Sequence, residues 1–388
     1  MAVVAEHMLP WLMPSARPLW FNLGMYGVLV FFLVSGYIIP ASLEHRGDVR
    51  SFWVSRVFRL YPLYLLVIGV ALALAAWMPV RPEVPRDLTA VAMHLTMLMD
   101  VVNGAGIVDT MWTLSYEMVF YLIVTALFVA GLHRRSGTAA VLFGLVAVGT
   151  GLALTAPLLP GGPAAVVSAV VFVVGLGCLF TGRGRTPAAY LLGLTALTLL
   201  LAGSRVIWFG AAILAVMFAG TAIYRWDRGT GPLWPVGLAA ALVAVAPVWA
   251  PQAGWWWVQP DVWITTLVLA GGTFAVAMAL RRRRVPRALT WLGLISYSVY
   301  LLHHPMLRWL VEITGDVRAA SQATQAAVIA AYLAAVLAVS RLTYGFVELP
   351  MQRLGRRLSA RLAEAQRSGK VVPGRSLPEP ASVETVTR

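Results

Sequence analysis

The chain has 388 residues, 60% of them hydrophobic and only 12% charged, about half the charged share of an ordinary soluble domain. Its mean hydropathy of +0.78 is more apolar than one globular core can hide, which excludes a soluble single-core enzyme. The formal net charge of +14 would suggest nucleic acid in a soluble chain. Here the basic residues fall between apolar runs and in the tail, where they set topology and meet anionic head groups, so no nucleic-acid partner is expected.

Residues Met1 to about Met13 are apolar but too short to span a bilayer. They carry Glu6 and His7, with Pro10 following. The fragment reads as the second half of a helix, so the first helix is expected to be truncated or to lie partly in the interface. No signal peptide is expected, because no basic region precedes the first apolar stretch. Further apolar runs sit at about 24–43, 60–79, 110–131, 139–157, 163–181, 187–202, 205–224, 234–250, 262–280, 288–311 and 325–347. The expected fold is an all-α transmembrane bundle of about 10–12 helices occupying residues 1–350. Residues 88–101 are apolar but short and are bounded by Asp87 and Asp100, as in an interfacial or re-entrant helix. Residues 351–388 read as a cytoplasmic basic helix fading into a disordered tail.

Loop charge sets the expected orientation. One alternate set holds His45-Arg46 to Arg59, His133-Arg134-Arg135, Arg183 with Arg185, Arg225 with Arg228, Arg281 to Arg284 with Arg287, and the tail. The other set is mixed or neutral. The basic loops and both termini are therefore expected in the cytoplasm, and the protein in the cell membrane. Trp255-Trp256-Trp257 then lies at the outer face, as an aromatic belt or, as the alternative, a surface on which substrate stacks. The single cysteine, Cys178, lies in an apolar run and is expected to be inert packing. No zinc, iron–sulfur, haem, P-loop or dinucleotide spacing is present, and no metal or permanently bound cofactor is expected.

Glu117 is a carboxylate inside the apolar run 110–131, and an ionisable group there is costly and marks a functional site. Counting from the outer end at 1.5 Å per residue puts it about 10 Å deep. The same count places His303 and His304 at a similar depth, and His7 in the outer half. An imidazole can take a proton from a hydroxyl, and a carboxylate can orient it or stabilise the imidazolium. Arg56 and Arg59, spaced i, i+3, share a helix face at the cytoplasmic end and can clamp phosphate. A phosphate clamp half a membrane from a base suits a long phosphorylated donor such as an acyl thioester of coenzyme A, and the reaction class is acyl transfer to a hydroxyl. A proton-coupled transporter or flippase for a polar or lipid-linked substrate also fits intramembrane His and Glu, although no internal repeat is visible. An inactive truncated protein is the third reading.

Several stretches, in order, resemble the membrane acyltransferase 3 family of integral-membrane O-acyltransferases. They are Phe31-Phe32-Leu33-Val34-Ser35-Gly36-Tyr37, Arg56-Val57-Phe58-Arg59-Leu60-Tyr61-Pro62, Trp112-Thr113-Leu114-Ser115-Tyr116-Glu117-Met118-Val119-Phe120-Tyr121-Leu122, Ser296 to Pro305, and Phe346-Val347-Glu348-Leu349-Pro350. The resemblance implies a cytoplasmic acyl-CoA donor, acetyl by default, and a hydroxyl acceptor on a sugar, glycan, glycolipid or related metabolite. By it His7 corresponds to the catalytic histidine, Glu117 to the essential acid, and Arg56 with Arg59 to the acyl-CoA-binding arginines. Glu6, Ser35, Trp112, Ser115, Tyr116, His303 and His304 are expected to line the site. The family usually carries an arginine before the histidine, at a position this sequence does not contain.

Overall fold

The computed structural model describes residues 1–78 and 80–368. The regular structure among them is entirely helical. In chain order the helices are α1 (Ala2–Leu12), α2 (Leu23–Arg46), α3 (Val49–Ala73), α4 (Leu88–Thr96), α5 (Trp112–Val129), α6 (Ser136–Ala153), α7 (Gly161–Thr181), α8 (Arg185–Thr198), α9 (Ile207–Asp227), α10 (Trp234–Val245), α11 (Pro260–Leu280), α12 (Arg287–Leu294), α13 (Ser296–Thr314), α14 (Gln322–Thr343) and α15 (Leu349–Ser368). Among the described residues, nine helices are long and apolar enough to cross a membrane. The chain is a polytopic helical membrane bundle.

Three boundaries differ from the sequence reading, each for a local reason. Helix α3 starts at Val49, eleven residues before the apolar run, because Asp48 caps it by accepting from the Ser51 amide at 2.8 Å and the Arg50 amide at 3.3 Å. Arg56 and Arg59 therefore lie inside a helix rather than at its mouth. The 288–311 run is broken at Ile295 into α12 and α13. The 325–347 run does not stop at 350: a π-helical turn over Tyr344–Glu348 joins α14 to α15. The helix thus continues through Pro350 to Ser368, and the remainder of the expected tail, 369–388, lies outside the described residues.

Helices α9 and α5 form the centre, with 89% and 72% of their apolar windows buried. A helix that is apolar all round belongs inside a bundle. In lipid, helix association depends on close packing rather than on the hydrophobic effect. The α2–α9 crossing shows this: a Cβ at Gly36 would lie 1.8 Å from the Met217 carbonyl oxygen, and one at Gly220 would lie 2.3 Å from the Leu33 carbonyl oxygen. The Phe-Phe-x-x-Ser-Gly stretch thus serves backbone contact between α2 and α9, and the Thr221 hydroxyl donates to the Gly36 carbonyl at 2.7 Å.

Polar bonds gather the basic turns onto one face. Arg185 of the α7–α8 turn pairs with Asp48 of the α2–α3 turn at 2.9 Å. Arg225, at the end of α9, pairs with Glu44 of α2 and donates to the His133 carbonyl of the α5–α6 turn. Arg281, at the end of α11, pairs with Asp227. On the other face Arg81 pairs with Asp109, Arg17 with Glu6, and the Trp208 indole donates to Gln252 at 2.9 Å. Basic turns that are distant in sequence are thus paired with acids of neighbouring turns.

Candidate active site

The site begins with two histidines from distant helices. His7 on α1 and His303 on α13 approach at 2.9 Å between Nδ1 and Nε2, with ring centroids 5.1 Å apart. His303 Nδ1 also lies 3.0 Å from the Val299 carbonyl one turn back. A carbonyl can only accept, so His303 carries its proton on Nδ1 and, as a neutral ring, offers the Nε2 lone pair. His7 must then donate from Nδ1. This leaves His7 Nε2 with a free lone pair, the arrangement a general base needs. The Tyr332 hydroxyl donates to the His303 carbonyl at 2.8 Å and steadies the turn. His304 meets the His7 ring edge-on, at 5.0 Å between centroids.

Two cavities flank this pair. The inner one, 240 Å³, is lined by Arg59 of α3, Glu117 of α5 and His303, together with Gly27, Val28, Tyr297 and Tyr300. The outer one, 300 Å³, is lined by His7, Glu6, Asp100, Arg205 and the rings of Trp112, Phe209, Trp255 and Trp257. Val3, Val28 and Tyr300 border both.

Glu117 is buried and accepts a hydrogen bond from Tyr121, one turn along α5. Arg56 is also buried, and its guanidinium stacks over the rings of Phe52 and Tyr121 at 5.1 and 5.3 Å. The two arginines expected to act together are thus divided: Arg59 reaches the inner cavity, and Arg56 holds the tyrosine that holds Glu117. His7 takes its partner from α13 rather than from α5. At the base of the inner cavity the Tyr297 hydroxyl donates to the Leu60 carbonyl at 2.9 Å. Thr343 donates to Ser298 at 2.9 Å, and Ser298 donates to the buried Glu348.

Other expected lining residues do structural work. The Ser115 hydroxyl accepts from the Asp100 amide at 3.0 Å, and Tyr116 donates to the Asp100 carboxylate. Both pin the short helical segment 88–102, and neither lines the two cavities. Ser35 is buried beside the α2–α9 crossing. His304 borders a separate 400 Å³ chamber with Trp11, Arg81, Asp109 and Glu312. Trp112 and Glu6 do line the outer cavity. Glu6 is ion-paired to Arg17, whose guanidinium lies 4.6 Å from the Trp256 ring centroid. Asp100, Arg205 and Tyr300 were not legible as site residues, and Trp257 was legible only through the alternative reading of its cluster. Asp100 did carry a signal, as the acid bounding the short apolar run 88–101.

Similarity to known proteins agrees with this architecture. The family model described as an acyltransferase domain matches residues 1–345. The chain belongs to that acyltransferase family, as the motif resemblance implied. Acyltransferase MdmB of Streptomyces mycarofaciens is 26% identical over 353 residues, covering 87% of this chain and 83% of the relative. The putative peptidoglycan O-acetyltransferase YrhL of Bacillus subtilis is 29% identical over 147 residues, 33% of this chain and 23% of the relative. O-acetyltransferase OatA of Staphylococcus aureus is 29% identical over 133 residues, 30% of this chain and 22% of the relative. No solved structure matches. This acyltransferase is an enzyme, and its helices place it in a membrane as a multi-pass protein.

Proposed function

We propose that this acyltransferase moves an acyl group, acetyl by default, from an acyl thioester of coenzyme A on the cytoplasmic side to a hydroxyl of a sugar, glycan or related metabolite on the outer side. One observation carries the reading: the His7–His303 pair has an arginine- and glutamate-lined cavity on one flank and an aromatic, acid-bearing cavity on the other. The names of two relatives, a peptidoglycan O-acetyltransferase and an O-acetyltransferase, support a hydroxyl acceptor.

In this reading Arg59 meets the anionic part of the donor, and the thioester arm occupies the inner cavity. His7 Nε2 takes the proton of the acceptor hydroxyl as its oxygen attacks the thioester carbonyl. The new C–O bond forms, the C–S bond breaks, and the proton passes from His7 to the departing sulfur, which leaves as the thiol. Glu117, which lines the same cavity as His303, is the carboxyl group placed to favour the transient imidazolium. Indoles on the outer side offer flat apolar faces to a sugar ring, while Glu6 and Asp100 are positioned to accept from its hydroxyls.

The test is acyl incorporation from labelled acetyl-CoA by membranes containing the protein, with release of free thiol. His7→Gln is expected to lower the rate by about 10²–10⁴-fold, the usual share of a general base, and Glu117→Gln to lower kcat more than it raises KM. Wild-type-like incorporation by either variant would sink the assigned chemistry. Proton-driven flux of a polar solute with no thioester consumption would favour a carrier instead.

A further inference from the structure

The two cavities meet at a partition made by Val3 of α1, Val28 of α2 and Tyr300 of α13. Each piece of it is held. Tyr300 donates to the Thr110 carbonyl at 2.8 Å and lies 2.6 Å from the Thr113 hydroxyl, so its ring is tied to the start of α5. Val28 is 4% exposed. Val3 sits in a notch that only glycine leaves open: a Cβ at Gly27 would lie 2.8 Å from Val3 Cγ2. Valine in a helix has one strongly preferred rotamer, so two of the three pieces cannot swing aside as a methionine would.

This partition lies on the line the acyl group must cross. The thioester arm lies on the Arg59 side, while His7 lines the outer cavity. The carbonyl carbon has to be presented to the acceptor oxygen near His7, and the acyl chain then extends back among Val3, Val28 and Tyr300. Resting on the acyl-transfer reading above, we infer that Val3, Val28 and Tyr300 form a fixed aperture that sets acyl-chain length, admitting short chains and rejecting long ones. Chemistry is unchanged by chain length: in each case the C–O bond forms, the C–S bond breaks and the hydroxyl proton leaves on the thiol. Only the fit of the methylenes differs, and one methylene against a rigid apolar wall is worth about 10–200-fold in discrimination.

The experiment compares acetyl-CoA with hexanoyl-CoA as labelled donors, using membranes and glycan extract of the expressing cells as the acceptor pool. Wild type is expected to favour acetyl. Val28→Ala, which removes two methyl groups from the aperture, is expected to raise the hexanoyl-to-acetyl ratio of kcat/KM at least tenfold. Val3→Ala is expected to act in the same direction. Val28→Ile, which adds a methyl group, is expected to lower the use of propionyl-CoA relative to acetyl-CoA. If Val28→Ala does not accumulate in the membrane, Val3→Ala and Val28→Ile supply the widening and narrowing arms. An unchanged ratio, within about twofold, in variants that still consume thioester overturns the aperture and leaves the acyl-transfer reading standing. Failure of wild type to consume any thioester overturns the reading itself, and the aperture with it.

Discussion

Because the Val299 carbonyl can only accept, the hydrogen-bond direction along Val299, His303 and His7 is set from one end. This makes His303 a positioning residue whose contribution is an acceptor at Nε2. His303→Gln can still present an amide oxygen to His7 Nδ1–H, whereas His303→Leu cannot. The glutamine variant is expected to retain clearly more activity than leucine, with the loss in kcat rather than in acceptor KM. Equal losses for the two would mean that His303 only fills space. The two arginines divide in a similar way. Arg59 lines the inner cavity, so Arg59→Ala should raise the donor KM with little change in thermal stability. Arg56 is stacked and buried, and a desolvated cation–π contact is worth about 2 kcal/mol, so Arg56→Ala should lower Tm and slow turnover through Tyr121 and Glu117. Steady-state kinetics and thermal melts in detergent separate the two outcomes. At this scale the sequence pointed to His7, Glu117, Arg59 and His303, which line the two cavities, but not to their pairings. Intramembrane charge flags Glu117 and the histidines, but which ring faces which depends on the relative rotation of α1 and α13.

At the scale of elements, the short apolar segment 88–102 shows how a run too short to span is fixed by side-chain bonds. His94 on α4 lies 2.8 Å from the Ala90 carbonyl at Nδ1, and the Ile107 amide donates to its Nε2 at 3.1 Å. Nε2 must therefore be unprotonated and the ring neutral. Burial lowers the His94 pKa below its ordinary 6.5, against the raising influence of the Ala90 bond. The unfolded segment thus binds a proton more tightly than the folded one, and stability rises with pH wherever that is so. The segment should hold fully above about pH 6.5 and weaken as the pH falls below it. The protection factor of the Ile107 amide, exchange measured against its base-catalysed intrinsic rate, should fall on acidification in wild type. In His94→Leu it should be lower at neutral pH but flat across that range. Matching pH slopes in the two would count against His94 as the latch. Periodicity and length made this segment legible, and also most of the long helices. They missed the start of α3 because Arg50, Ser51, Arg56 and Arg59 dilute its hydropathy, while the decisive signal was a single capping residue, Asp48.

For the whole molecule, the alternation of loop charge was the most transferable sequence signal, and the bonds among turns explain why. Asp48 with Arg185, Glu44 with Arg225, and Asp227 with Arg281 tie the ends of α2, α8, α9 and α11 into one layer. A chain inserted with its arginines facing the cytoplasm obeys the positive-inside rule, and that orientation would bring Arg59 to the side where acyl-CoA is found. The expected sidedness can be read with single cysteines in a Cys178→Ser background. Gly47→Cys, in the α2–α3 turn, should be protected from a membrane-impermeant maleimide added to intact cells and react once the membrane is opened. Gly315→Cys, in the turn after α13, should react in intact cells. The reverse pattern would invert the proposed path, putting the aromatic cavity in the cytoplasm and Arg59 outside. Acyl-CoA would then have to approach through the aromatic flank, where Glu6 is already paired with Arg17 and Asp100 faces Arg205. The labelling result therefore bears on chemistry as much as on topology, because it decides which of the two cavities meets the cytoplasmic donor.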